Sequence, residues 1–300
     1  MIKMTQPKDG FFLVYKEPGI TSSQLVQKLR KKLNIPKLGH TGTLDKFAEG
    51  LLILPTGRAT FFSQDFLKLS KAYIAELEIG ISTLSGDPES EIIDQKSISE
   101  IENKWNKDWN QGLVLKEQIN NLIQWNVQDA PKISALKHHG IRYSDLTRQG
   151  IETPQKKRNI EVFSSKVLNE NLKSFSFEVH VSSGTYIRQI AIDLSQILEF
   201  PISLKRLIRK SVGSYSMENA KKTEDLNWED LLEILQCFPY KQCVLDEVDT
   251  NSVFHGRKIQ NFGLEEVAVG NFYFVDQSGE ILAICQKYSE TEWKYLKVLH

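Results

Sequence analysis

The sequence predicts an α+β protein with a small β-rich domain at its C-terminal end. Three observations lead there. Apolar runs of strand length, alternating or continuous, recur through the first two thirds of the chain. Amphipathic stretches of helical period stand between them. Short apolar runs near 267–275 and 281–285, each close to Gly or Asp, close the sequence.

In chain order, Phe11-Phe12-Leu13-Val14-Tyr15 reads as a strand ended by the turn signal Pro18-Gly19. Thr21 or Ser22 then caps a helix with Leu25, Val26, Leu29 and Leu33 on one face, closed by Pro36. Leu51-Leu52-Ile53-Leu54 reads as a buried strand after a loop, and residues 73–81 alternate as another. Residues 98–125 look helical, with Trp105, Trp109 and Trp125 expected in packing roles. Residues 129–160 are polar, basic and weakly periodic, too long for an idle loop. Residues 175–181 alternate cleanly and lead into a helix carrying Ile187, Ile190, Ala191, Leu194 and Leu198.

The composition is that of a soluble globular chain: 300 residues, 40% hydrophobic and 25% charged. Collagen-like, disordered and disulfide-scaffold classes are excluded. Cys237, Cys243 and Cys285 form no CxxC pair and lack a His at zinc-finger spacing, so they read as free thiols of a reducing compartment. The polar stretch 1–10 does not read as a signal peptide, and no run approaches a membrane span of about 18 apolar residues. A cytoplasmic protein is expected.

Lys+Arg and Asp+Glu both total 38, a balance that argues against a nucleic-acid partner. The balance hides segregation. Residues 1–71 hold 12 basic and 5 acidic residues, and residues 131–210 hold 14 and 7. Residues 72–130 hold 4 and 11, and residues 211–300 hold 8 and 15. Two basic segments can form one basic face, or each can be an ordinary solvated surface.

Walker, GxGxxG and HExxH motifs are absent. Two segments carry possible chemistry. Gly39-His40-Thr41-Gly42-Thr43-Leu44-Asp45 is a glycine-flanked polar loop that lets backbone approach a substrate, or a surface turn with Asp45 as a cap. Ser182-Ser183-Gly184-Thr185-Tyr186-Ile187-Arg188 joins a strand to a helix. It suits an anion at the helix N-terminus, or a packed Tyr186 with a solvated Arg188.

In order and spacing these segments resemble the TruB-type bacterial tRNA pseudouridine synthases, which convert uridine 55 of the T loop. The resemblance begins at Tyr15-Lys16-Glu17-Pro18-Gly19-Ile20-Thr21-Ser22 and continues through the Asp45 loop, Gly57-Arg58-Ala59-Thr60 and Lys71-Ala72-Tyr73-Ile74-Ala75, ending in Gly80 and Thr83. Pro131-Lys132-Ile133-Ser134-Ala135-Leu136-Lys137 follows with Gly140, Arg148 and Gly150, then Gly184-Thr185-Tyr186-Ile187-Arg188, then Leu207, Arg209 and Gly213. It covers residues 10 to about 215 and, more weakly through Gly256-Arg257-Lys258, the tail.

The resemblance implies the pseudouridine synthase fold: a mixed, largely antiparallel sheet with flanking helices over 1–239, then a small PUA-like domain over 240–300. It implies Asp45 as the catalytic carboxylate, Arg188 as its charged partner, and Tyr73 as the ring that stacks on the target base and assists proton removal from C5. Tyr186 and Leu207 line the uracil pocket, and His40 holds the flipped nucleotides. On composition alone His40 is equally a structural hydrogen-bonding residue. Lys16 is a pocket-wall lysine, an Asp45 neighbour or a phosphate contact, and Arg209 also belongs to the substrate site. Residues 129–160 match an RNA clamp whose Lys132, Lys137, Arg142, Arg148, Lys156, Lys157 and Arg158 meet phosphates.

The implied partner is the T arm of tRNA, met by a monomer without guide RNA or obligate protein partner, and the isomerisation needs no cofactor or metal. A non-catalytic tRNA-folding role is the alternative; Asp45, Tyr73 and Arg188 all being present favours the enzyme. The chain departs from the family at Lys46, where Pro is usual, at Ala130, where the clamp has a second Pro, at Ser144, where Tyr is usual (Tyr143 stands one place earlier), and at Ile208, where Arg is usual.

Overall fold

The computed structural model describes residues 9–131, 137–138, 141–142, 156–172, 174–259 and 266–299. By their contacts they fall into two compact units: 13–54 with 63–228, and the described parts of 1–12, 55–62 and 229–300.

The larger unit is built on a mixed sheet. Its strands are β1 (Gly10–Lys16), β2 (Glu49–Thr56), β3 (Lys71–Ile79), and, after the small pairs β4 (Ile81–Thr83) with β5 (Ile92–Gln95), β6 (Val127–Asp129) with β9 (Lys157–Asn159), and β7 (Lys137–His138) with β8 (Ile141–Arg142), the strands β10 (Val162–Asn171), β11 (Ser174–Val181) and β12 (Ile202–Val212). The spatial order is β10-β11-β3-β12-β2-β1. β10, β11, β3 and β12 are antiparallel, whereas β12 and β2 run parallel. β13 (Tyr215–Ser216) folds back on β12.

The helices follow local chemistry. α1 (Ser22–Lys32) starts at a capping box between Thr21 and Gln24, buries Leu25 and Leu29, and places Arg30, Lys31 and Lys32 in the last turn, where the helix dipole favours cations. α2 (Ser63–Lys68) ends with the ammonium of Lys71 donating to the carbonyls of Leu67 at 2.6 Å and Leu69 at 2.5 Å. α3 (Ile98–Asn103) and α4 (Leu113–Asn121) interrupt the expected 98–125 helix, because Asn110, Gln111 and Gly112 all turn through positive φ. Trp105 and Trp109 are core residues, as expected, and Trp125 packs against that core. α5 (Ile187–Ile197) buries Ile187, Ile190, Ala191 and Leu194 in the same core as Phe175, Phe177, Val179 and Val181 of β11. Its partner in packing is β12.

The strand expected over 73–81 stops at Ile79, since Gly80 takes φ 88° and starts a turn into β4. β10 and β12 carry no clean two-residue alternation. β10 is a mostly exposed edge strand, and β12 has register shifts at Leu204/Arg206 and Arg209/Ser211 that move the inward-facing positions. In the expected clamp, Lys132, Tyr143, Ser144 and Arg148 lie outside the described residues.

In the other unit, Gly10 and Phe11 of β1 pair with β14 (Leu232–Glu233), which leads into α6 (Ile234–Cys237). A second sheet of β15 (Lys241–Val244), β16 (Gly270–Val275), β17 (Ile281–Lys287) and β18 (Trp293–Val298) packs with α7 (Glu247–Phe254) around Phe272, Phe274, Ala283, Cys285 and Trp293. This is the β-rich tail the sequence predicts. Among the described residues no helix is long and apolar enough to cross a membrane.

Candidate active site

The 39–48 loop runs between α1 and β2, and its main chain is fixed on both sides of Asp45. Upstream, the buried Ser22 hydroxyl accepts from Leu44 N–H at 2.9 Å and lies 3.2 Å from Leu44 O. Thr41 N–H donates to Ile53 O at 3.1 Å. Downstream, Lys46 O accepts from Gly19 N–H at 2.8 Å and from Lys16 Nζ at 3.2 Å. Lys16 Nζ also donates to Ala48 O at 2.5 Å and Glu17 O at 3.1 Å. Between these anchors the Asp45 side chain stays 40% exposed.

Two residues expected at the substrate site, Lys16 and Arg209, lie buried against this loop. Lys16 has 0% and Arg209 3% of its surface exposed. Arg209 Nε donates to Leu51 O at 2.8 Å, and its NH2 lies 3.4 Å from Gly42 O. Both cations prop main-chain carbonyls of the loop and the strand beside it. Burial lowers Lys16 to a pKa of about 8, while the carboxylates of Asp45 and Glu89 oppose the shift. Gly50 is obligatory here. A Cβ on it would lie 2.4 Å from Arg209 O across the parallel ladder, and its φ is 109°.

Arg188, in the first turn of α5, reaches the loop from the other side. Its Nε donates to Asp45 Oδ2 at 3.0 Å. Its NH1 donates to Ser85 O at 3.1 Å and pairs with Asp87 Oδ2 at 3.3 Å. Only 7% of the Arg188 side chain and 10% of that of Asp87 is exposed. The guanidinium is thus clamped by two carboxylates, of which only Asp45 faces outward. Asp87 and Ser85 were missed in the sequence. They fall in the acidic 72–130 stretch, which charge counting places away from the site, and their one signal is the turn Gly86-Asp87-Pro88. Gly86 gives that turn room, because a Cβ would lie 2.8 Å from Arg188 O.

Tyr73 and Leu207 stand on the core side of the sheet. Tyr73 pairs with Val179 and Arg209, and Leu207 with Ala75. Tyr73 packs against the cluster that includes Leu44, Ala48 and Leu207. Tyr186 precedes α5 and is held by the buried carboxamide of Gln128, which accepts from Tyr186 N–H at 2.9 Å and donates to Tyr186 O at 3.0 Å. The Arg158 guanidinium lies 5.3 Å from the Tyr186 ring centroid and donates to Gly184 O at 2.8 Å. Arg158, expected in the clamp, thus sits against Tyr186. His40 Nδ1 is buried without a hydrogen-bond partner among the described residues, and burial followed by the charge of Arg209 lowers its pKa.

Among the described residues no group of three or more His, Cys, Asp or Glu is arranged to hold a metal ion. The arrangement offers an exposed carboxylate on a loop anchored on both sides and paired to a buried guanidinium. A family model described as TruB family pseudouridylate synthase, N-terminal domain, matches residues 30–187. A tRNA pseudouridine synthase B of Leptospira interrogans is 38% identical over 98% of this chain and 95% of its own length. The chain belongs to the TruB family. A tRNA pseudouridine synthase B of Clostridium kluyveri is 31% identical over 84% of this TruB-family chain and 86% of its own. The TruB fold is also seen in a solved Cbf5-Nop10-Gar1 complex, a chain of which superposes with a TM-score of 0.63 at 20% identity, covering 97% of this chain and 85% of that one.

Proposed function

We propose that this chain isomerises uridine 55 in the T loop of tRNA to pseudouridine, with Asp45 as the catalytic carboxylate and without guide RNA or cofactor. The observation that carries the proposal is the Asp45 carboxylate, held outward on a doubly anchored loop and hydrogen-bonded to the buried Arg188. The relatives named tRNA pseudouridine synthase B supply the substrate class.

The reaction breaks the bond from ribose C1′ to N1 of uracil and forms one from C1′ to C5. The proton displaced from C5 is balanced by the one gained at N1, so no oxidant or energy source is required. Asp45 acts at the ribose or base as nucleophile or base. Tyr73 stacks on the uracil and assists removal of the C5 proton, while Tyr186 and Leu207 shape the pocket and His40 meets the flipped nucleotides. Because the uridine lies inside a folded loop, the enzyme flips it out; unstacking costs a few kcal/mol, returned by stacking and polar contacts in the pocket. Residues 1–239 form the catalytic domain and 240–300 a PUA-like domain, in a cytoplasmic monomer that needs no protein partner.

Mapping pseudouridine in tRNA made with and without the protein tests the proposal. Asp45→Asn is expected to abolish the modification and keep tRNA binding. Modification retained in that variant overturns it.

A further inference from the structure

Lys46 stands beside Asp45 in the 39–48 loop. Its main chain is fixed by the hydrogen bonds from Gly19 N–H and Lys16 Nζ to its carbonyl. Its side chain is not. The ammonium reaches outward to Glu89 Oε1 at 3.3 Å, with 53% of the Lys46 and 37% of the Glu89 side chain exposed. Glu89 belongs to the same assembly as the carboxylate clamp, since its N–H donates to Asp87 Oδ1 at 3.0 Å. Its charge also reaches Lys16 beneath the loop.

The rim of the site therefore presents two opposite charges on movable side chains, next to the group that must approach a ribose. A nucleotide whose C1′ meets Asp45 carries a phosphodiester on either side of that ribose. The Cα of Lys46 is one peptide unit, about 3.8 Å, from that of Asp45, and its four-carbon arm spans a ribose from there. Glu89 repels the same phosphates. An exposed Lys–Glu pair is weak and opens readily, whereas an ammonium on a phosphate gains by counterion release.

We infer that Lys46 leaves Glu89 when RNA binds and takes a backbone phosphate flanking the target nucleotide, and that Glu89 is its resting partner in the free protein. The inference rests on the RNA-modifying reading of the site. It adds a phosphate contact one residue from the catalytic carboxylate, made by a side chain on a fixed base.

The test is a salt series of T-arm RNA binding by the full chain, read by fluorescence anisotropy in an Asp45→Asn background so that the RNA stays unconverted. Lys46→Ala is expected to weaken binding about threefold to tenfold near 0.15 M salt and to flatten the log–log salt slope by about 0.7–0.9. Lys46→Arg is expected to keep the slope, and Glu89→Gln to tighten binding. The Lys46→Ala/Glu89→Gln pair is expected to keep the flattened slope. If that double variant instead regains the parental affinity and slope, Lys46 merely neutralises Glu89 and the inference falls. An unchanged slope in Lys46→Ala also overturns it, and an unchanged affinity in Glu89→Gln overturns the resting-partner role. RNA conversion by the unmutated chain is measured alongside. Its absence refutes the functional reading, whereas conversion with an unchanged Lys46→Ala slope refutes this inference alone.

Discussion

Replacing Asp87 by Asn removes one negative charge beneath the site while keeping the shape of the side chain. Asp87 touches neither the outer surface of the loop nor the exposed face of Asp45. Its Oδ2 lies 3.3 Å from Arg188 NH1, and its Oδ1 accepts from Glu89 N–H at 3.0 Å. Both members of the Arg188–Asp87 pair are nearly buried, so water screens little of the loss. For the loss of this nearly buried ion pair we take about 1.5–3 kcal/mol, the scale of a polar contact to a charged group. If Arg188 passes that loss to Asp45, at about 1.36 kcal/mol per tenfold, the chemical step slows by about 10- to 100-fold. The assay is single-turnover release of tritium from 5-tritiated uridine in tRNA, run beside tRNA binding and thermal unfolding. Slowed chemistry with affinity within about threefold is expected. A rate within about twofold of the unmutated protein would show that Arg188 needs no second carboxylate, and the reasoning would be wrong.

Other outcomes follow from the same geometry. Lys16→Met leaves the carbonyls of Glu17, Lys46 and Ala48 without their ammonium, so unfolding is expected to become easier by about 1–3 kcal/mol, measured by denaturant titration. The native lysine titrates near 8 and the unfolded one near 10.5. Between these values the unfolded chain holds the extra proton, so the lysine's contribution to stability rises with pH. The stability gap between the unmutated protein and Lys16→Met should therefore widen from pH 8 to 10, and a gap that narrows counts against the assignment. Gly86→Ala pushes on Arg188 O and should lower the turnover rate more than the melting temperature. Binding of tRNA should weaken steeply with salt despite a sequence pI of about 7.0; a flat salt profile would refute the basic RNA face.

Much of the larger unit was legible because its signals are local. The cap at Thr21 and the face of Leu25 and Leu29 announce α1, and alternation announces β11. Asp45 and Arg188 were legible by resemblance, and the structure brings them to hydrogen-bond distance. For Lys16 the sequence left a pocket wall, an Asp45 neighbour and a phosphate contact open, because a cation in a site motif looks the same whether it faces a phosphate or main-chain carbonyls; the burial of Lys16 and Arg209 is what the structure adds. Asp87 escaped because its role depends on a partner about 100 residues away along the chain, and no local pattern carries that. β12 escaped because its bulges break the period by which strands are recognised.

The position of β12 has a consequence for how the protein is made. It is synthesised after every other strand of the β10-β11-β3-β12-β2-β1 series, yet it is inserted in the middle, between β3 and β2. Its Arg209 reaches Leu51 across 158 positions of chain, and Arg188 reaches Asp45 across 143. Until residues 202–212 emerge, the sheet exists as two unjoined halves, with the Asp45 loop on one and Tyr73 on the other. Closure of such distant contacts is slow compared with local folding. The site as a whole thus comes together in one late step, and a nascent chain cut short before β12 carries the Asp45 loop without the Arg209 prop beneath it.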